Sequence, residues 1–237
     1  MPEAAPADIT ITTTMTTITT TTDRAALLHL LAWLSPAFPT GGFAYSHGLE
    51  WAVEAGDIRD GDTLLAWLSD VLAHGSGRSD AILLRHAHRS VDDTEVLAAI
   101  AELALASTPS RERRDEALNQ GRAFVLAVQP WLGPSLPEDL PYAVAVGAAA
   151  GRYGIAEDAT AACYLQAFTA NLISAAVRAV PLGQTAGLRV LAALEPAIMA
   201  TADATHDAAL DDIGGCAFRS DLAAMRHETQ YTRLFRS

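Results

Sequence analysis

The chain has 237 residues, enough for one sizeable domain, and its formal charge of -12 repels phosphate backbones and anionic lipid, which argues against nucleic-acid and membrane partners. It contains no lysine, so a Walker-type phosphate loop and a pyridoxal Schiff base, both of which need that amine, are excluded. Half of the residues are apolar, Ala and Leu foremost, and β-branched and aromatic residues thin out after Asp23, so helices are expected.

Residues 1–23 stand apart. Their run DITITTTMTTITTTT lacks the large apolar side chains that offset ordering entropy, and it reads as a disordered arm with some capacity for a short strand. No basic stretch leads into an apolar core, so no secretory signal is expected. Asp23 is placed to cap the helix AALLHLLAWL, which must stop before Pro36. Residues 35–42, SPAFPTGG, carry two prolines and a glycine pair and are expected to be irregular backbone. Ser46 is expected to cap a helix to about residue 55, stopped by Gly56, and Asp62 to cap another that ends at His74. Further helices are predicted over 80–90, 94–107, 111–129, 142–153, 158–180 and 185–202, the last kinked or broken at Pro196. A final one is predicted over 221–230 behind a Ser220 cap.

No alternating strand and no fixed repeat is legible. The expectation is a single all-α domain over 24–237, a bundle of about eight to ten helices. Its centre should be the stretch 159–180, apolar nearly all round as a helix enclosed by others must be. Gly147 and Gly151 would let a second backbone approach closely, within the chain or across a dimer seam. The longest run of small apolar residues, 143–151, is well short of the roughly 20 needed to cross a bilayer, and a cytoplasmic protein is expected.

Chemical motifs are incomplete. Cys163 and Cys216 form no CxxC pair, which suits a reducing compartment and buried structural thiols. His227-Glu228 begins a zinc-helix motif, but the second histidine is missing because position 231 is tyrosine. His86 and His88 fall about 200° apart around a helix and cannot share one ion. Ala44-Tyr45-Ser46-His47-Gly48 resembles a degenerate nucleophile elbow, which keeps a serine hydrolase using Ser46 as a remote alternative, yet no strand leads into it. No catalytic residue, metal ligand set or tightly bound cofactor is expected.

Four segments together resemble the UreF family of urease accessory proteins: LSPAFPTGGFAYSHGLE (34–50), SRERRDEALNQGRAF (110–124), AVRAVPLGQTAGLRVL (176–191) and SDLAAMRHETQYTRLFRS (220–237). They keep the family's order, and only the Thr-rich arm falls outside them. Leu188 stands where the family often has a polar residue. The resemblance implies an all-α homodimer that does no covalent chemistry. It would join the UreD/UreH scaffold to the nickel-carrying GTPase UreG in the complex that supplies nickel to apo-urease.

On that reading Gly41, Gly42, Phe43, Tyr45, Ser46, Glu50, Arg178 and Gln184 face the GTPase, and Arg178 with Gln184 either orient it or line an ion route. Arg226, His227, Glu228, Tyr231, Arg233, Leu234, Phe235 and Arg236 face the scaffold, through a tail that orders on contact. The aromatic and basic residues of this tail on an acidic body are themselves suited to a partner surface. The alternative is a regulator that stimulates UreG with an arginine from among Arg111, Arg114 and Arg178.

Overall fold

The computed structural model describes residues 24–237; the Thr-rich arm and the Asp23 cap lie outside the described residues. The elements are α1 (Arg24–Trp33), α2 (Leu49–Glu54), α3 (Gly61–His74), α4 (Ser76–Arg89), α5 (Thr94–Ala106), α6 (Arg111–Leu132), α7 (Tyr142–Tyr153), α8 (Glu157–Ala179), α9 (Gly183–Ala204) and α10 (Phe218–His227). Short 3-10 turns occur at Gly42–Ala44 and Leu210–Asp212, and no strand occurs among the described residues. The fold is an all-α bundle.

The inner layer is α4 against α7. Every residue of α7 from 143 to 150 is buried, and small side chains let the two backbones nearly touch. A Cβ on Gly147 would lie 2.1 Å from the Leu84 carbonyl oxygen, and one on Gly151 2.4 Å from that of His88. These glycines therefore serve packing within the chain.

The stretch expected at the centre, α8, touches α2, α3, α4, α7 and α9, but its flank at Phe168, Asn171 and Ser174 is at least partly open. Complete burial belongs to α7, because alanine and glycine permit closer approach than the larger side chains of α8. By length and composition α8 would also suffice to cross a membrane, which the run at 143–151 did not anticipate. Half of its most apolar window is buried in the bundle, as befits a core helix.

One apolar cluster runs from Ala26 to Ala223, with Trp33 and Phe124 fully enclosed. Charge joins the layers as well. Arg85, 1% exposed, reaches Glu157 and Asp158 at 2.7 Å each and the Ala202 carbonyl at 2.8 Å, tying α4 to α8 and α9.

Three predicted caps are displaced. Asp60 rather than Asp62 caps α3, because Thr63 lies three residues on and completes a reciprocal capping box. Ser46 lies one turn ahead of α2, whose cap position is Gly48, although the Ser46 hydroxyl still accepts from the Glu50 N–H at 3.3 Å. Ser220 falls inside α10, which begins at Phe218. Pro196 lies within α9 without ending it.

Candidate partner-binding site

The loop at 41–48 is held in an unusual backbone. Gly41, His47 and Gly48 have φ of 74°, 58° and 75°, and a non-glycine residue in that region carries about 1 kcal/mol of strain or more. The His47 ring offsets this by placing Nε2 2.7 Å from Glu116 Oε1. Gly48 is fixed twice over, by its φ and because a Cβ there would lie 2.4 Å from the Ala224 amide nitrogen of α10. The loop is thus clamped between α6 and α10.

Onto this clamp folds the tail, residues 228–237. Glu50, buried on α2, accepts the amides of Leu234 at 2.7 Å and Phe235 at 3.0 Å. The Arg236 amide donates to the Ala44 carbonyl at 2.8 Å, while the Ser46 amide and hydroxyl donate to the Ser237 carbonyl at 2.8 and 2.5 Å. Ser237 Oγ donates to Glu116 Oε2 at 2.6 Å, and the Arg233 guanidinium to Glu112 Oε1 at 2.5 Å. Phe235 is 5% exposed and lies under the Arg178 guanidinium, 4.5 Å from the ring centroid.

The two residue sets assigned to separate partners therefore meet. Tyr45, Ser46, Glu50, His227 and Phe235 are buried; in this conformation they hold the surface and cannot touch a partner. Phe43 at 69% exposure, Leu234 at 72% and Tyr231 at 102% form the accessible part, with Arg226, Arg233 and Arg236 also exposed. Gly41, Gly42 and Glu228 are partly covered, and Glu228 accepts the Arg111 amide at 2.7 Å. Gln184 is exposed in the first turn of α9. On α10, Phe218, Leu222 and Met225 extend the apolar surface along one exposed helical face.

The residues beneath lie in the family-like segment 110–124, but the sequence resemblance assigns no role to them. Glu112, Glu116 and Gln120 recur four apart on α6, and Arg113 pairs with Glu116, which Gln120 also contacts at 2.8 Å. Burial pushes the Glu116 carboxyl up, but Arg113, His47 and the hydrogen bonds from His47 and Ser237 together bring it down to about 2. Across a cavity of about 220 Å³ lies Asp80, raised by burial to about 6 despite Arg113 and a 2.8 Å bond from the Tyr164 hydroxyl.

Elsewhere, Glu157, Asp158 and His206 approach closely enough to hold a cation, but both carboxylates already engage Arg85, with Arg89 on Glu157 and His206 on Asp158. His86 and His88 cross-link the bundle through the Ala208 and Ile155 carbonyls. The Ser46 hydroxyl is enclosed and committed to Ser237, so no exposed nucleophile stands at the elbow-like motif.

Comparison with known proteins decides the family. The UreF family model matches residues 58–195. The chain is 54% identical over 224 residues to the urease accessory protein UreF of Bradyrhizobium sp. (strain BTAi1 / ATCC BAA-1182), covering 91% of this chain and 93% of that protein. It is 54% identical over 221 residues to the protein of the same name from Methylorubrum populi, covering 89% and 98%. The chain belongs to the UreF family. Within this UreF-family chain the model's match begins after α2 and ends inside α9, so the loop at 41–48, Glu50 and the tail lie outside the matched region, while Glu112, Glu116 and Arg178, which hold the tail, lie inside it.

Proposed function

We propose that this chain is a urease maturation factor and a non-catalytic adaptor, linking a UreD/UreH-type scaffold to the GTPase UreG in the complex that passes nickel to apo-urease. Nickel is then cargo of the complex rather than a resident cofactor, and the working form is a cytoplasmic homodimer. The observation that carries this reading is the joint surface of loop and tail. Exposed Phe43, Tyr231, Leu234 and Arg236 stand on a base of buried Glu50 and His227 and partly covered Glu112. Aromatic and arginine anchors on a preformed support are what a binding surface needs, because little ordering remains to be done on contact.

Deleting residues 234–237 is expected to abolish co-purification with the scaffold while the helical circular dichroism stays unchanged. Full retention of the scaffold would overturn the reading. In co-expression with apo-urease and the other accessory proteins, nickel content should rise only when this chain is present.

A GTPase-regulating role is the second reading. Arg111 and Arg114 are exposed on the first turn of α6, beside the tail, whereas Arg178 is engaged with Phe235 and with its own Ser174 carbonyl at 3.1 Å. GTP turnover by UreG that is unchanged by Arg111→Ala, Arg114→Ala and Arg178→Ala would remove it.

A further inference from the structure

Four helices and the loop at 41–48 meet around the cavity of about 220 Å³. Asp80 comes from α4, Glu116 from α6, Tyr142 from α7, Tyr164 and Phe168 from α8, and His47 from the loop. Pro36, Phe43 and Ser174 also line it and are exposed, so it is reached from solvent. A single enclosed water needs only about 15 Å³ of comparable volume. A small organic group therefore fits.

The charges around this cavity do not balance. Glu116 and Arg113 pair with each other, whereas Asp80 takes a hydrogen bond from the neutral Tyr164 hydroxyl and has no ion pair among the described residues. Asp80 is ionised at neutral pH, above the value of about 6 to which burial raises it. One carboxylate is thus left without a cation of its own, which is unfavourable.

His47 supplies a second, separate observation. Its Nε2 donates to Glu116 Oε1 at 2.7 Å, and burial together with the Arg113 charge lowers its pKa and keeps the ring neutral. Nδ1 is therefore an acceptor. It is enclosed and has no hydrogen-bond partner among the described residues, an uncommon state for a buried polar atom.

The walls decide which donor suits these acceptors. Tyr164 and Phe168, one turn apart on α8, stack at 22° with centroids 6.4 Å apart; Tyr142 lies 5.7 Å from Tyr164 and His47 5.1 Å from Phe168. Aromatic faces beside a carboxylate attract an organic cation. A metal ion is less well served, because the one trio of His, Cys, Asp or Glu side chains close enough to share an ion among the described residues is Glu157, Asp158 and His206. Acceptors spread along a ring-lined wall instead match a flat cation with several donors in its plane. We propose that this cavity binds a guanidinium group, stacked on the rings of α8 and hydrogen-bonded to Asp80 and to His47 Nδ1. A small guanidine or an arginine of another protein presents the same chemistry. The site needs this chain alone and is independent of the function proposed above.

The test is nuclear magnetic resonance of the full chain titrated with methylguanidinium chloride, following the ring signals of Tyr142, Tyr164 and Phe168. These should shift together and saturate with a dissociation constant on the order of 1 mM. Methylammonium, which lacks the plane, and N-methylurea, which lacks the charge, should bind at least about tenfold more weakly. Asp80→Asn still accepts from Tyr164 but has no charge, and should weaken methylguanidinium at least about tenfold. An acetylated and amidated arginine separates the sources: the same ring shifts would support the proposal with an arginine side chain as ligand, and binding of methylguanidinium alone would support it with a small guanidine. Absence of a saturable ring shift would overturn it, as would equal affinity for either control compound or an affinity untouched by Asp80→Asn. If Asp80→Asn does not fold, the three compounds on the unaltered chain still decide.

Discussion

The α4–α7 seam and the tail clamp are both buried, but opposite chemistry holds them. In the seam, alanines and glycines bring two backbones into direct contact, and that close approach leaves little room to rearrange cheaply. In the clamp, Glu50, Glu112 and Glu116 catch backbone amides, arginines and histidines, and the contacts exist only while each charge has its counterpart. Close apolar packing suits a permanent scaffold. Paired charges around a chain segment suit an attachment that conditions can undo.

Breaking the seam should therefore cost the most. Gly147→Ala places a methyl against the Leu84 carbonyl oxygen, where only a shift of whole helices gives relief. The expected loss is about 3 kcal/mol, or roughly 10 °C in Tm by differential scanning calorimetry. Gly42→Ala sharpens the contrast at the other region. Its new methyl would meet only the side chains of Gln120, Asn171 and Thr40, none nearer than 3.3 Å, and a shift under about 1 kcal/mol is expected because those atoms can move. Equal losses for the two variants would remove the distinction between backbone-limited and side-chain-limited packing.

The cavity between the regions holds two carboxyls that respond to pH in opposite directions. The folded chain holds Asp80 protonated up to about 6 against a usual 3.8, so Asp80 lowers stability as pH rises through that interval and keeps it low above. Asp80→Asn removes the penalty and still accepts from the Tyr164 hydroxyl. It should stabilise the chain by about 2 kcal/mol at neutral pH, with the gain vanishing below about pH 4. Glu116, depressed from 4.5 to about 2, contributes stability that is present above about pH 4.5 and is lost as pH falls toward about 2. Denaturant titrations at several pH values separate the two. An Asp80→Asn gain that persisted unchanged into acid would show that desolvation of the carboxylate was not the cause.

The same division explains what the sequence made legible. The bounds of α7 were readable to the residue, because Pro141 and Gly154 punctuate its ends and its composition is that of an enclosed helix. Caps were less so: in Asp60-Gly61-Asp62 either acid qualifies, and only the partner Thr63 selects the first. At the site, motif resemblance supplied Ser46, Glu50, His227 and Phe235, yet it divided them between two partners because contacts across the fold leave no local pattern. The run RERRDEALNQ is legible as the start of a helix within a family-like segment, which assigns no role to its acids. Its spacing held a signal nonetheless, since Glu112, Glu116 and Gln120 stand four apart and make a polar stripe on one side of α6. That the side is buried follows only from the tail that covers it.

The smallest effect on global stability, and the most local, is expected at the tail itself. Phe235→Ala removes a ring that is buried beneath Arg178 but belongs to no helix, so the Tm should move by less than about 2 °C while docking weakens. Trypsin offers a direct readout, since the chain has no lysine and cleavage falls only at arginine. Arg233 is exposed, but the bond that follows it leads to the Leu234 amide held by Glu50; cleavage requires that this segment first come free. In Phe235→Ala, cleavage after Arg233 should accelerate about tenfold, the equivalent of about 1.4 kcal/mol of lost docking, while sites within the helices keep their rates. An unchanged rate at Arg233 would mean that Glu50 and Glu112 hold the tail unaided, and an increase at every arginine would mean that Phe235 belongs to the core rather than to a detachable segment.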